Sequence, residues 1–207
     1  MLELIRQLKT SIRKGQFLTL LPYDNQYAAN IVKLRNTDRA RYYLNQSFEL
    51  SIDMQNDWAK EYFKRDNDIY WVIQCNETKQ IIGSTSLYNI TSLQCEKGRL
   101  IIDEKFATRK PYVLEAEIMI IKIAFKELGL NKIITSTRYD NGKMESINRR
   151  LGFVKSGSHY IRGVLYNDFV LEKENFDSKP FERILVHWVK RGVAKSFFDT
   201  SFNSGNR

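Results

Sequence analysis

Apolar residues recur at helical spacing from the start of the chain. Leu2, Ile5 and Leu8 predict a leader helix over residues 2–14, and Gly15 then precedes a strand-like run, Phe17 to Leu21, ended by Pro22. From Asp24, a helix-capping residue type, Tyr27, Ile31 and Leu34 define a second helix; the polar joint 35–38 separates it from a short piece, Arg39 to Leu44. Ser51 opens another helix, with Trp58, Ala59, Tyr62 and Phe63 as its apolar stripe and Asp66-Asn67-Asp68 as its stop. Three strand candidates follow, Ile69 to Cys75, Gln80 to Tyr88 and Lys97 to Asp103, and predict an antiparallel meander.

The best-determined helix begins at Pro111. Leu114, Ile118, Ile121, Phe125 and Leu128 repeat at 4, 3, 4 and 3 residues until Gly129 supplies a left-handed cap. Lys132 to Arg138 then reads as a β-branched strand, and Met144, Ile147 and Leu151 as a short helix closed by Gly152. Phe153-Val154 and Val164 to Leu171 supply two more strands, and Pro180 to Arg191 one amphipathic helix. The order predicts a mixed α/β (α+β) fold, a largely antiparallel sheet with helices on both sides and a C-terminal helical tail. Residues 1–175 are expected to form one domain with its leader helix, and 176–207 a helical extension that packs on it or pairs two copies as a homodimer.

Composition narrows the function classes. In 207 residues, 43% hydrophobic and 13% aromatic content supplies a core, which excludes global disorder. No apolar run approaches the roughly 18 residues of a membrane span. Glu3 and Arg6 interrupt the first apolar stretch, which argues against a secretory signal and makes the cytoplasm the expected compartment. Cys75, Cys95, His159 and His187 never fall at metal-ligand spacing, so no metal is expected, and both cysteines read as buried thiols. There is no nucleophile elbow of the GxSxG type and no phosphate loop of the GxxxxGK[ST] type. The net charge of +9 fits a polyanion, yet acids such as Asp53, Asp57, Glu61 and Glu115 are interspersed with the bases, so nucleic acid is a poor candidate partner.

Two segments carry candidate chemistry. Thr108-Arg109-Lys110-Pro111-Tyr112-Val113-Leu114 runs into the N-terminus of the long helix, where unpaired amides, the helix dipole and two cationic side chains suit a phosphate. The second is Asn141 to Phe153, a polar start, a short helix and a Leu-Gly-Phe exit into a strand. With Glu96-x-Gly98 leading the central strand and Glu115-Ala116 following the loop, the chain from Phe17 to about Asn175 resembles the GNAT acetyltransferase superfamily. Leu34-Arg35-Asn36 and the Trp58 helix look most like members that acetylate amino-sugar nucleotides, with protein N-terminal acetylases close behind.

That resemblance implies acetyl-CoA as co-substrate, seated where the central strand and its neighbour splay apart. The backbone of Ile101, Ile102 and Asp103 would hold the pantetheine arm; Arg109, Lys110 and the amides of Tyr112, Val113 and Leu114 would hold the pyrophosphate; Asn141 and Asn148 would contact the cofactor from the short helix. Glu96 is the expected base. The glycines of the usual pyrophosphate loop are absent, and Asn148 stands where many relatives carry the tyrosine that protonates the leaving sulfur, which leaves Tyr139 or water as the acid. Arg35, Asn36, Arg39 and Tyr42 form the candidate acceptor site, for a small amine such as a nucleotide-linked amino sugar. The competing expectation is a GNAT-like binding module that has lost catalysis and uses its charge for a polyanion or a protein partner.

Overall fold

The computed structural model describes residues 1–201, with side chains through Lys190; residues 202–207, the end of the expected C-terminal extension, lie outside the described residues. Helix α1 (Leu2–Thr10) ends earlier than its periodicity suggests, because Arg13 and Lys14 form a two-residue edge strand, β1, against β2 (Leu18–Pro22). Helices α2 (Ala28–Arg35), α3 (Asp38–Tyr43) and α4 (Ile52–Lys64) follow. Thr37 and Ser51 cap α3 and α4 by accepting the amides of Ala40 and Met54.

Strands β3 (Ile69–Cys75), β4 (Ile81–Tyr88) and β5 (Gln94–Ile102) form the expected meander. Gly83 is required where β4 meets β5: a Cβ there would lie 2.1 Å from the Ile101 carbonyl oxygen. A single turn, α5 (Glu104–Ala107), precedes α6 (Tyr112–Lys122), which continues as a π-helical turn over Ile123–Glu127. Strand β6 (Lys132–Arg138), helix α7 (Gly142–Arg150), the hairpin β7 (Val154–Ile161) and β8 (Val164–Glu172), and α8 (Lys179–Ser201) complete the chain. The hairpin is far longer than Phe153-Val154 predicted, because every β7 residue is exposed and none marks a strand by alternation.

Among the described residues eight strands lie in the order β1-β2-β3-β4-β5-β6-β8-β7, with β5 and β6 paired in parallel. Ile5 and Leu8 of α1, the apolar stripe of α6, Phe169 and Leu171 of β8 and Phe181 of α8 fill the core on one face. Tyr23, Ile31, Ala59 and Tyr62 pack with Tyr70 and Val72 on the other. Glu115, buried in α6, locks that helix to the sheet by accepting the amides of Gln16, Phe17 (2.9 Å) and Leu18 (3.1 Å). Burial raises its pKa and these backbone bonds oppose the rise. Cys75 and Cys95 are buried free thiols, as expected. Among the described residues no helix is long and apolar enough to cross a membrane.

Candidate active site

The parallel ladder between β5 and β6 is three residues long: Gln94 with Lys132, Cys95 with Ile133 and Glu96 with Ile134. Beyond it β5 continues to Ile102 and β6 to Arg138 without pairing to each other, so the sheet opens into a V whose arms carry backbone groups free on their facing edges. A bulge shapes one arm. The β4–β5 register shifts between Ser84 and Ser86, and Arg99 adopts φ +54, a strained value for a residue with a side chain. Ser84 and Ser86 hydroxyls donate to the carbonyls of Arg99 and Gly98, both at 3.1 Å, and hold the bulge.

On the α2–α3 face, the V opens into a cavity of about 810 Å³. Glu96, Tyr88 and Arg99 line it from one arm, Ser136, Asp168 and His159 from the other, and Arg35 and the segment Tyr43–Gln46 roof it. Asn89 donates to Glu96 at 2.9 Å. Burial, with the negative charge of neighbouring Glu96, pushes the Tyr88 phenol up to about 12. Arg99 is held by Asp68 at 2.8 Å. Arg35 donates to Gln46 Oε1 at 3.1 Å and has no carboxylate partner among the described residues; burial lowers its pKa.

The opposite face of the V is closed by a buried polar chain. Lys97, the first β5 residue past the ladder, lies 2.5 Å from Glu117 of α6 and donates to Asn148 Oδ1 at 3.0 Å. Asn148 in turn donates to Thr137 of β6 at 3.0 Å. The two arms are thus tied together beneath the opening through side chains of α6 and α7. Both charged groups are 2% exposed, so each depends on the other for charge compensation.

At the end of the β5 arm stands the anion-binding junction. Asp103 caps α5 by accepting the Lys105 amide, and Pro111 precedes α6. Val113 and Leu114 have no backbone acceptor for their amides among the described residues, and they lie in the first turn of α6. Arg109 is exposed and makes no ion pair among the described residues, resting 5.1 Å from the Phe106 ring. These groups fit a diphosphate, and the free strand edges of the V fit an extended amide-bearing arm.

The Acetyltransferase (GNAT) domain model matches residues 18–154, about two thirds of the chain. The chain belongs to the GNAT acetyltransferase family. It is an N-acetyltransferase with the fold predicted for it. Solved structures agree on that fold. One titled FdhC, a nucleotide-linked sugar GNAT, is 20% identical with a TM-score of 0.70, covering 84% of this chain and 97% of that one. The spermidine N-acetyltransferase of Vibrio cholerae, in complex with CoA and spermine, is 19% identical with a TM-score of 0.69, covering 78% and 98%. A GCN5-related N-acetyltransferase of Brucella melitensis is 17% identical with a TM-score of 0.68, covering 80% of each chain. A search of curated proteins finds no significant match.

Within this GNAT enzyme several candidate residues stand elsewhere than the sequence suggested. Asn148 is fully buried and bonded to Lys97 and Thr137, so its amide is not free to meet a sulfur. Tyr139, expected as a fallback acid, is 55% exposed just past the end of β6 and does not line the cavity. Tyr112 donates its amide to Lys110 O at 2.8 Å, in a tight turn about Pro111, and its buried phenol meets Cys75 Sγ on β3 at 3.2 Å. The ring therefore packs towards β3 and against Phe106, with centroids 6.2 Å apart. Asp103 donates its amide to Ile82 O at 2.7 Å, and the alternation of strand amides places that of Ile101 on the same side, leaving Ile102 facing the gap. Lys110 is drawn to Glu77, whose carboxyl it holds below its usual range. Asn141 caps α7 through the Met144 amide at 3.2 Å.

On the acceptor side, Arg35 reaches the cavity and the other candidates do not. Asn36 bridges the backbone of Leu50, donating to its carbonyl and accepting its amide, both at 2.8 Å, which fixes the 36–50 loop. Tyr42 donates to Asp140 at 2.5 Å and lines a separate cleft with Arg41 and Arg138. Arg39 lies 3.7 Å from Glu104 of α5. Together these two contacts attach α3 to the ends of both arms. Sequence reasoning missed Lys97 with Glu117 and His159 with Asp168, because each pair joins residues on different elements and neither forms a local motif.

Proposed function

We propose that this GNAT enzyme transfers the acetyl group of acetyl-CoA to the primary amine of a small acceptor that also carries an anionic group, as an amino-sugar nucleotide does. Arg109 with the Val113 and Leu114 amides would hold the coenzyme's diphosphate, and the free edge of β5 near Ile102 its amide-bearing arm. The bound thioester supplies an activated acetyl group. Glu96 offers the negative charge that draws an ammonium to the mouth of the V, and backbone amides at the bulge suit a developing oxyanion. Positioning two reactants in one gap supplies much of the acceleration.

The observation that carries the choice of acceptor is Arg35. A guanidinium in the cavity roof whose hydrogen-bond partner among the described residues is Gln46, destabilised by burial and by the charge of Arg99, gains most from an anionic ligand and repels a polycation. The deciding experiment is a mass-spectrometric turnover assay with acetyl-CoA against amino-sugar nucleotides, polyamines and peptides. Acetylation of an amino-sugar nucleotide in preference to spermidine is the expected result, and Arg35→Gln should raise KM for it about tenfold or more, the scale of one charge-assisted bond. Preferential turnover of spermidine would overturn the acceptor assignment, and turnover of peptides alone would point to N-terminal acetylation.

A further inference from the structure

Besides Glu96, a second acid–base constellation lines the acceptor cavity. His159 on β7 sits beside Asp168 on β8, with Nδ1 at 2.9 Å from Oδ1 and 3.0 Å from Oδ2 of that carboxylate. Ser136 on β6 donates to Asp168 Oδ1 at 2.7 Å. The imidazole stacks on Tyr166, ring centroids 6.1 Å apart at 25°, which fixes its plane. A register shift between Lys155 and Gly157 lets this part of β7 meet β8, with Gly157 opposite Asp168. Three neighbouring strands therefore converge on one imidazole.

We infer that His159 is the base that takes the proton from the acceptor's ammonium, with Asp168 as its positioning residue; this rests on the transferase reading above. Because Asp168 accepts the Nδ1 proton, the neutral ring carries its lone pair on Nε2, and Nε2 has no hydrogen-bond partner among the described residues. Imidazole is the side chain most often used as a general base near neutral pH. Glu96 then serves chiefly as the anion that holds the ammonium.

The step balances without any further reagent. The ammonium gives one proton to Nε2, and the freed lone pair forms the C–N bond to the acetyl carbon while the C–S bond breaks. The thiolate takes the second proton shed by the nitrogen as it becomes an amide, and the imidazolium releases its proton to solvent.

The test uses the full chain with acetyl-CoA and a nucleoside-diphosphate amino sugar. His159 is 44% exposed, so His159→Ala should fold, which thermal denaturation checks. Its kcat should fall by about 10² or more with little change in KM or in the acetyl-CoA dissociation constant. Added imidazole should restore turnover in proportion to its unprotonated fraction. Asp168→Asn, whose amide would donate to Nδ1 and move the proton to Nε2, should also lower kcat without weakening binding. Retention of kcat within threefold in His159→Ala, or a loss confined to KM and unanswered by imidazole, would overturn the assignment while leaving the transferase reading intact. Failure of the wild-type chain to bind acetyl-CoA would instead remove that reading, and this one with it.

Discussion

Lys97 Nζ and Asn148 Oδ1, 3.0 Å apart, connect the central strand to the short helix α7 beneath the opening in the sheet. With Glu117 on one side and Thr137 on the other, they set how far the arms part and leave both charges out of water. The spread of the V is thus fixed by buried side chains, Lys97, Glu117 and Asn148 among them.

Removing one member of this pair should be costly. Lys97→Met leaves Glu117 as an uncompensated buried charge, for which a loss of about 3–5 kcal/mol is expected. The double variant Lys97→Met/Glu117→Gln should recover a large part of it. Urea unfolding of these two variants and of Glu117→Gln alone measures the coupling, and additive losses would mean the charges do not interact as their distance implies.

Arg109 and Lys110 are adjacent in sequence and differ in engagement, since Glu77 already holds Lys110. Arg109→Ala should weaken acetyl-CoA binding by about tenfold, and Lys110→Ala by much less. Glu77→Gln, which releases Lys110, should tighten binding at low salt. Calorimetric titration of the three variants gives the comparison.

Glu96→Gln keeps the Asn89 contact's shape but removes the anion. It should lower turnover of the amine acceptor and raise its KM while leaving acetyl-CoA affinity within about twofold. An unchanged steady-state profile would exclude Glu96 from the acceptor site.

The fold was legible where periodicity was strong. The 4, 3, 4, 3 repeat of α6, the cap at Gly129 with φ +70, and the β-branched run of β6 all stand where the sequence indicated. The gap between β5 and β6 followed from the family resemblance. What escaped was non-local or unpatterned. Strand β7 is exposed on both faces and so lacks alternation, and the π-helical turn after Lys122 is invisible to a 3.6-residue period. Asn148 reads as a polar helix residue, and only the fold shows it paired with a lysine 51 positions earlier. Asn36 and Tyr42 have the chemistry of ligand contacts, yet backbone groups of Leu50 and the carboxylate of Asp140 take them first.

Stability should fall at alkaline pH. Burial pushes the Cys95 thiol up to about 12, so the folded chain keeps a proton that the unfolded chain loses above about pH 9. The unfolded state then binds fewer protons, and the folded state loses ground by up to about 1.4 kcal/mol per pH unit from this group as pH rises from 9 towards 12. Cys95→Ala should flatten that slope in denaturant titrations between pH 8 and 10.5, and an unchanged slope would assign the alkaline loss to other groups.

We propose that the V between β5 and β6, with the first turn of α6 at its end, seats the coenzyme's diphosphate and thioester arm. Thermal denaturation with and without acetyl-CoA checks this seat. Ligand at 100 times its dissociation constant should add about 2.7 kcal/mol of stability and raise the melting temperature accordingly, with a smaller gain in Arg109→Ala at the same concentration. An unchanged melting temperature at millimolar acetyl-CoA would contradict it.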